Sequence, residues 1–199
     1  MSTSKWDQKF NDEDFIYGEI ENEFINEKSD IIPANSKVAC FAEGEGRNAV
    51  YLATMGHNVT AFDQSTVGLK KAEKLAATNN VQVETVATDL TKEEVGKELY
   101  DAAIMVFGHV AKADQPYFLE NIFQSVKKGG TILIEVYSES QLDYETGGPK
   151  TVEMLYSAKD ILKMTRGYKR EHFYYGEVER NEGKGHVGTG HVIQVVVRK

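Results

Sequence analysis

The chain has 199 residues, 41% hydrophobic and 27% charged, and is therefore long enough to bury a full core without metal or disulfide support. Its net charge of -8 argues against a nucleic-acid-binding surface, which needs clustered lysine and arginine. No apolar run approaches the length of a membrane span, and Met1 to Asp14 are too polar for a secretory signal. The single cysteine, Cys40, forms no internal disulfide, so we expect a protein of the reducing cytoplasm.

Predicted strands and helices alternate along the first two thirds of the sequence. Strands are predicted at 37–42, 58–62, 81–86, 101–107 and 131–137, and helices at 47–55, 66–77 and 115–126. Thr91 and Glu94 predict a capping box for a short turn at 92–96. Gly129 and Gly130 are expected to end the helix at 115–126. This alternation is typical of a mostly parallel sheet with helices on both faces.

The last third of the sequence has a different pattern. Ser157 is predicted to cap a helix at about 158–165, and strands follow from Tyr168 to Glu179 and from His191 to Val197. Only a glycine-rich turn at 181–185 separates these strands, so we expect an antiparallel hairpin. The prediction is an α/β fold, with a Rossmann-like, mostly parallel seven-stranded sheet that ends in this hairpin. We expect one domain, with a helical cap at 1–30 and the sheet core at 31–199.

The strand predicted at 37–42 runs into a glycine turn and then a helix. Gly44 and Gly46 are spaced by one residue, an arrangement that brings bare backbone and a helix N-terminus against a nucleotide-like ligand. Asp63 ends the next predicted strand, where a carboxylate can accept hydrogen bonds from both hydroxyls of a ribose. An aspartate there could instead cap the helix that follows. Together the two strand ends predict a ligand that carries adenosine.

Two cofactors fit the sequence Gly44-x-Gly46-x-x-Ala49 about equally, NAD and S-adenosylmethionine. No second α/β half follows the fifth strand to hold a nicotinamide, and the terminal hairpin is unlike that of a dehydrogenase. Asp89, just after the third strand, could accept a hydrogen bond from an adenine amino group, or could start the turn that follows. These features favour S-adenosylmethionine, with an NAD-dependent oxidoreductase as the alternative.

Several motifs resemble those of a known family. They are Trp6-Asp7, Tyr17-Gly18, Asn22-Glu23-Phe24, the run from Gly44 to Leu52, Gly147-Gly148-Pro149-Lys150, and Glu182-Gly183 with His186-x-Gly188. On these residues the chain resembles the class I S-adenosylmethionine-dependent methyltransferases, and is similar to the small-molecule enzymes of the tellurite-resistance and thiopurine methyltransferase type. Cys40 stands where the family often has an acid, Ala42 where it has its first glycine, and Glu21 where it has a proline. These departures keep a non-catalytic S-adenosylmethionine-binding protein as a further alternative.

The predicted site follows from the strand ends and from this resemblance. The resemblance implies S-adenosylmethionine as cofactor and a small nucleophilic acceptor, one containing sulfur, selenium or tellurium. The predicted cofactor-binding residues are Tyr17, Ala42, Glu43, Gly44, Gly46, Arg47, Asn48, Asp63, Gln64, Asp89, Leu90 and Phe107. The predicted catalytic residues are His109, Tyr137 and Tyr144, with Tyr144 and the loop 147–149 expected to close as a lid.

Some of these residues have an open alternative. Arg47 would oppose the dipole of its helix, so we expect Glu43 or the cofactor carboxylate as its anionic partner, or else a solvated side chain. His109 could equally be a hydrogen-bonded structural histidine. His186 and His191 have no further ligands at metal-binding spacing, so no metal site is predicted. The expected partner is a small-molecule acceptor, with no nucleic acid and no membrane, and the sequence makes no prediction of oligomeric state.

Overall fold

A seven-stranded sheet forms the centre of the computed structural model, which describes residues 5–199. In chain order its strands are β1 Lys37–Phe41, β2 Asn58–Asp63, β3 Val83–Ala87, β4 Tyr100–Val106, β5 Val126–Tyr137, β6 Lys169–Glu182 and β7 His186–Arg198. They lie side by side in the order β3-β2-β1-β4-β5-β7-β6. β1 to β5 pair in parallel, whereas β7 pairs antiparallel with both β5 and β6. The predicted parallel sheet with its antiparallel hairpin is confirmed.

Six α-helices connect or cover the strands of the described chain. They are α1 Lys5–Lys9, α2 Glu23–Lys28, α3 Arg47–Thr54, α4 Thr66–Thr78, α5 Gln115–Ser125 and α6 Ala158–Met164. Short 3-10 helices lie at Ser29–Ile31, Glu139–Asp143 and Val152–Met154. Each described helix is too short or too polar to cross a membrane. Among its described residues the predicted cap at 1–30 contains α1, α2 and the start of the 3-10 helix at Ser29–Ile31, and its first four residues lie outside the described part.

Both faces of the sheet are buried, because successive side chains of a strand point to opposite faces. In β5, Ile132 and Ile134 pack in one apolar cluster that also contains side chains of α5. Leu133 packs in a second cluster on the other face, which includes side chains of α3. Cys40 belongs to this second cluster and is fully buried. The buried strands hold their carboxyl ends at one edge of the sheet in a fixed arrangement.

Gly129 and Gly130 do not act only as the end of the preceding helix. α5 ends at Ser125, and both glycines lie within β5, which begins five residues before the predicted strand. The Gly129 amide donates to the Lys199 carbonyl over 2.6 Å, and the Lys199 amide donates to the Gly130 carbonyl over 2.9 Å. These bonds to the neighbouring strand extend the ladder through the glycines. Pairing partners far along the sequence therefore set the start of β5.

Candidate active site

A cavity of about 770 Å³ lies at the carboxyl edge of the parallel strands. Its wall includes residues that follow β1, β2, β3 and β4, together with Tyr137 at the end of β5. Every residue predicted to bind the cofactor lines the cavity, as do His109 and Tyr137 of the predicted catalytic residues. Tyr144 does not line it. The volume is in the range of small-molecule sites, which occur at this edge of open α/β sheets.

The loop after β1 has an unusual backbone conformation. Ala42, Gly44 and Gly46 all have positive φ, at 51°, 60° and 91°. A Cβ added at Gly46 would lie 2.4 Å from the Cβ of Ala72 in α4, so only glycine fits there. Ala42 adopts the left-handed conformation that favours glycine, which accounts for the glycine usual at this position in the resembling family. The loop therefore turns sharply and keeps its backbone bare toward the cavity.

Asp63 joins this loop to the next strand end. Its Oδ2 accepts a hydrogen bond from the Gly44 amide over 2.9 Å, and its Oδ1 accepts one from the Ser65 amide over 2.8 Å. Burial raises the pKa of the carboxyl to about 6. Ser65, whose hydroxyl accepts from the Gly68 amide, is the residue that caps α4, so the alternative of Asp63 as a simple cap is wrong. A carboxylate accepts about four hydrogen bonds, so capacity for two ribose hydroxyls is left.

Glu43 caps the helix that follows the glycine loop. Its Oε1 accepts a hydrogen bond from the Ala49 amide in the first turn of α3 over 2.7 Å. Burial raises the pKa of this carboxyl to about 7. Gly46, at the N-cap position, has no side chain to do this. The Glu43 side chain thus supplies the missing cap from within the cavity wall.

The Asp89 side chain organises the turn after β3. Its Oδ1 accepts hydrogen bonds from the amide and the hydroxyl of Thr91, and its Oδ2 pairs with Lys92 over 2.6 Å. The Glu93 carboxylate in turn accepts a hydrogen bond from the Asp89 amide. The predicted capping box of Thr91 and Glu94 is therefore wrong, because the Thr91 hydroxyl donates to Asp89 and the carboxylate that accepts from the start of the turn is that of Glu93. Asp89 and Leu90 line the cavity, and their contact with adenine stays a prediction.

Arg47 has an anionic partner, as predicted, but it is a residue that the sequence did not indicate. The guanidinium is buried and lies 2.7 Å from a carboxylate oxygen of Glu182, the last residue of β6. The alternative of a solvated arginine is wrong, and the paired carboxylate is that of Glu182 and not that of Glu43. Arg47 also lines the cavity, so its contact with the cofactor carboxylate stays a prediction. Glu182 also accepts hydrogen bonds from the side chain of Asn22 and the amide of Glu23. This carboxylate therefore joins α3, the hairpin and the start of α2.

The segment before α2 covers one side of the cavity. Glu45 anchors it, accepting a hydrogen bond from the Ile16 amide over 2.9 Å and pairing with Lys71 over 2.6 Å. The Ile16 carbonyl accepts hydrogen bonds from the amides of Lys184 and Gly185 in the hairpin turn. These contacts place the Tyr17 ring on the cavity, as predicted for a residue that covers the cofactor.

Stacked rings form the wall where β4 and β5 end. Phe107 directly follows β4 with a φ of 53°, and its ring stacks on Tyr137 with centroids 4.4 Å apart. His109 lies beside them: its Nδ1 donates to the Met154 carbonyl over 2.7 Å, and its Nε2 accepts from the Tyr137 amide over 3.3 Å. Burial lowers the pKa of His109 to about 4. With both ring nitrogens bonded to backbone, His109 fits the structural alternative and not a catalytic base.

The prediction of Tyr144 as a catalytic residue is not supported by its position. The 3-10 helix at Glu139–Asp143 turns the chain so that the Tyr144 hydroxyl donates to the Glu177 carboxylate on β6 over 2.6 Å. This hydrogen bond raises the pKa of Tyr144 to about 12. The structure thus places the predicted catalytic tyrosine outside the cavity. The predicted lid loop 147–149 does line the cavity.

His186 lines the cavity, although from the sequence it was predicted neither as a cofactor-binding nor as a catalytic residue. It is the first residue of β7, which begins five residues earlier than predicted. Its ring stacks on Tyr17 with centroids 4.6 Å apart and meets Phe107 edge-on at 4.4 Å. The glycine-rich run before it indicated a turn and gave no sign that this side chain faces the site.

Comparison with known proteins identifies the fold and its family. Residues 38–130 match the family model described as "Methyltransferase domain". The chain superimposes on TehB from Haemophilus influenzae with a TM-score of 0.74 at 18% identity, covering 98% of this chain and 65% of TehB. Residues 38–130 therefore carry a methyltransferase domain, and the match supports the resemblance to the class I S-adenosylmethionine-dependent methyltransferases that the motifs indicated. The match decides against the NAD-dependent oxidoreductase that the glycine motif left open.

Sequence relatives of this chain align over about half of its length. The ubiquinone biosynthesis O-methyltransferase of Rickettsia akari is 31% identical over 106 residues, which are 52% of this chain and 41% of the relative. The probable S-adenosyl-L-methionine-dependent methyltransferase TehB of Haemophilus influenzae is 26% identical over 100 residues, 49% of this chain and 35% of the relative. The chain thus matches less than half the length of either curated relative.

S-adenosylmethionine, the cofactor of this family, fits the residues of the cavity. The bare backbone at Gly44 and Gly46 leaves room for a ligand to approach closely. Asp63 offers the acceptor capacity that a ribose diol requires. The aromatic side chains of Tyr17, Phe107 and Tyr137 line the cavity, and aromatic rings attract a cation such as a sulfonium. The cavity therefore holds the parts that this cofactor needs.

Proposed function

We propose that this methyltransferase methylates a small, soft nucleophile that is already ionised at neutral pH, such as a thiolate or a selenolate. The observation that carries the proposal is the character of the cavity wall where β4 and β5 end. Phe107, His109, Tyr137 and His186 line this end, and the two histidines are held neutral by burial, which lowers the pKa of His109 to about 4 and that of His186 to about 2. Imidazoles with pKa values this low are poor proton acceptors.

This wall suits an acceptor that needs no proton removed. The bound cofactor supplies a methyl group on a positively charged sulfur. A general base helps when the acceptor is a neutral alcohol or amine, but a thiolate presents its lone pair directly. The stacked rings of Phe107 and Tyr137 line the cavity and favour the cationic donor. What the protein contributes is alignment of the two reactants beside an aromatic wall.

An oxygen acceptor is the second candidate, because one relative is named as an O-methyltransferase. A phenol or alcohol would need a base to raise its reactivity. His109, the histidine placed best for that task by its position after β4, has both ring nitrogens bonded to backbone. The geometry therefore favours the soft acceptor.

The test compares three acceptors of similar size, 4-nitrothiophenol, 4-nitrophenol and benzylamine, with S-adenosylhomocysteine production as the readout. We expect turnover with the thiol to exceed that with the other two. Activity confined to the oxygen or amine nucleophile would reject the soft-acceptor proposal. Binding of S-adenosylhomocysteine by calorimetry, without turnover of any acceptor, would favour the non-catalytic alternative. The Asp63→Ala variant serves as the negative control in each assay.

A further inference from the structure

His186 is a buried polar side chain that lacks a polar partner. It is only 5% exposed, and its Nδ1 has no hydrogen-bond partner within residues 5–199. The ring is nevertheless fixed, because it stacks on Tyr17 and meets Phe107 edge-on. Buried polar groups in proteins are nearly always hydrogen-bonded, so Nδ1 is an exception within the cavity wall. The ring meets the loop 147–149 through its other edge, that of Cδ2.

The hydroxyl of Tyr137 lies close to the same point. A Cβ built on Gly147, in the lid loop, would come 2.8 Å from the Tyr137 hydroxyl oxygen and 3.0 Å from Cδ2 of His186. The hydroxyl and the imidazole edge therefore converge beside a residue that has no side chain. All three residues line the cavity, at the end where β5 finishes and away from Asp63 on β2. With the ribose expected at Asp63, this end of the cavity is the one left for the acceptor.

We propose that the imidazole of His186 and the hydroxyl of Tyr137 bind the methyl acceptor and align its nucleophilic atom. The inference rests on the proposed methyl transfer. As the acceptor sulfur forms its bond to the methyl carbon, the bond between that carbon and the donor sulfur breaks, and its electron pair stays on the donor sulfur. Both side chains keep their protons throughout, so they act as positioning residues.

The protonation states agree with this role. Burial, reinforced by the positive charge of Arg47, lowers the pKa of His186, which stays neutral at physiological pH. Burial raises the pKa of Tyr137, so its hydroxyl remains a donor. Two neutral donors can hold a thiolate without protonating it, which leaves a lone pair available for attack.

The test uses His186→Phe, which keeps the ring stacking and removes both nitrogens. His172→Phe is the matched control, since His172 lies on β6 outside the cavity. With 4-nitrothiophenol as acceptor, we expect KM to rise by at least about tenfold in His186→Phe, the factor for loss of a hydrogen bond to a charged group. His186→Gln, which retains a donor, should recover part of this loss. The control should behave as wild type.

Calorimetry separates failure of this inference from failure of the proposed function. Binding of S-adenosylhomocysteine should be unchanged, within about twofold, in His186→Phe. Binding of 4-nitrothiophenol to the S-adenosylhomocysteine complex should weaken by the same factor as KM, whether or not wild type turns over. An unchanged acceptor affinity in a folded His186→Phe protein overturns the assignment, as does a loss of S-adenosylhomocysteine binding. Wild-type acceptor binding without turnover would instead refute the methyl transfer.

Discussion

Replacing Asp63 by alanine tests the centre of the proposed donor site. The carboxylate is 6% exposed and accepts one backbone amide on each oxygen, from Gly44 over 2.9 Å and from Ser65 over 2.8 Å. The variant removes the acceptor proposed for the ribose hydroxyls and leaves two loop amides without their partner. We therefore expect both weaker ligand binding and lower stability.

The size of each effect follows from the charge on the acceptor. A hydrogen bond to a charged group contributes about 1.5–3 kcal/mol, so S-adenosylhomocysteine should bind Asp63→Ala roughly ten- to hundredfold more weakly. The unpartnered amides of Gly44 and Ser65 should lower the free energy of unfolding by about 1–3 kcal/mol. The first value is measured by calorimetry and the second by urea denaturation.

The pH dependence of binding gives a second readout. Burial raises the pKa of Asp63 from 3.8 to about 6, and the ionised form is the better acceptor. Wild-type affinity should therefore fall as the pH is lowered through about 6, and Asp63→Ala should lose this component. The stability of the fold depends on pH in the opposite direction. Because the pKa of Asp63 is higher in the folded state, its contribution to stability is fully present below pH 3.8 and is lost as the pH rises through about 6.

Asp101→Ala is the matched control. Asp101 also accepts a backbone amide from a neighbouring strand, that of Lys37 over 2.8 Å, but it lies near the start of β4, at the opposite edge of the sheet from the cavity. The Asp101→Ala variant should be less stable than wild type but should bind S-adenosylhomocysteine with unchanged affinity. An Asp63→Ala protein that is folded and binds S-adenosylhomocysteine as tightly as wild type would refute the proposed ribose contact.

Two further predictions concern the glycine loop after β1 and the buried ion pair of Arg47 with Glu182. Gly46→Ala should lower the free energy of unfolding by about 2–5 kcal/mol, from the positive φ and the 2.4 Å approach of the new Cβ to Ala72. Gly129→Ala is the control, because Gly129 has a positive φ but open space around the added Cβ, and it should lower the free energy of unfolding by only about 1–2 kcal/mol. Equal losses of stability in the two variants, measured by urea denaturation, would refute the packing argument. Glu182→Gln should cost about 3–5 kcal/mol, because Arg47 is left buried without its carboxylate. The exposed pair of Glu171 with Arg198 is the comparison, and Glu171→Gln should cost less than about 1 kcal/mol in the same assay.

The sequence was sufficient to predict the parallel sheet and the half of the site built on strand ends. Runs such as Val38 to Phe41 are apolar throughout, as expected for strands buried on both faces. Because such strands end at one edge, the residues just after them were brought together as predicted, among them Gly44, Asp63 and Phe107. These positions depend on local pattern and on a general rule of topology.

Residues placed by the hairpin could not be predicted in the same way. The run from Asn181 to Gly185 has the composition of a turn, yet Glu182 pairs with His186 at the end of the ladder. The longer hairpin is supported by contacts with Ile16 and Gly18, far away in the sequence. Both the carboxylate that holds Arg47 and the histidine of the acceptor wall depend on this extension. Local propensity carries no information about such contacts.

The contact between the hairpin turn and the segment before α2 also bears on the order of folding. Lys184 reaches Asp14, which is 170 positions away in the sequence, and the Ile16 carbonyl receives two amides from the same turn. Closing so large a loop has a high entropic cost that local helices and neighbouring strands avoid. We infer that the contact between the hairpin turn and the segment before α2, which covers one side of the cavity, is among the last parts of the structure to form. A molecule bound beneath it would stabilise those late, non-local contacts and so couple occupancy to the completion of folding.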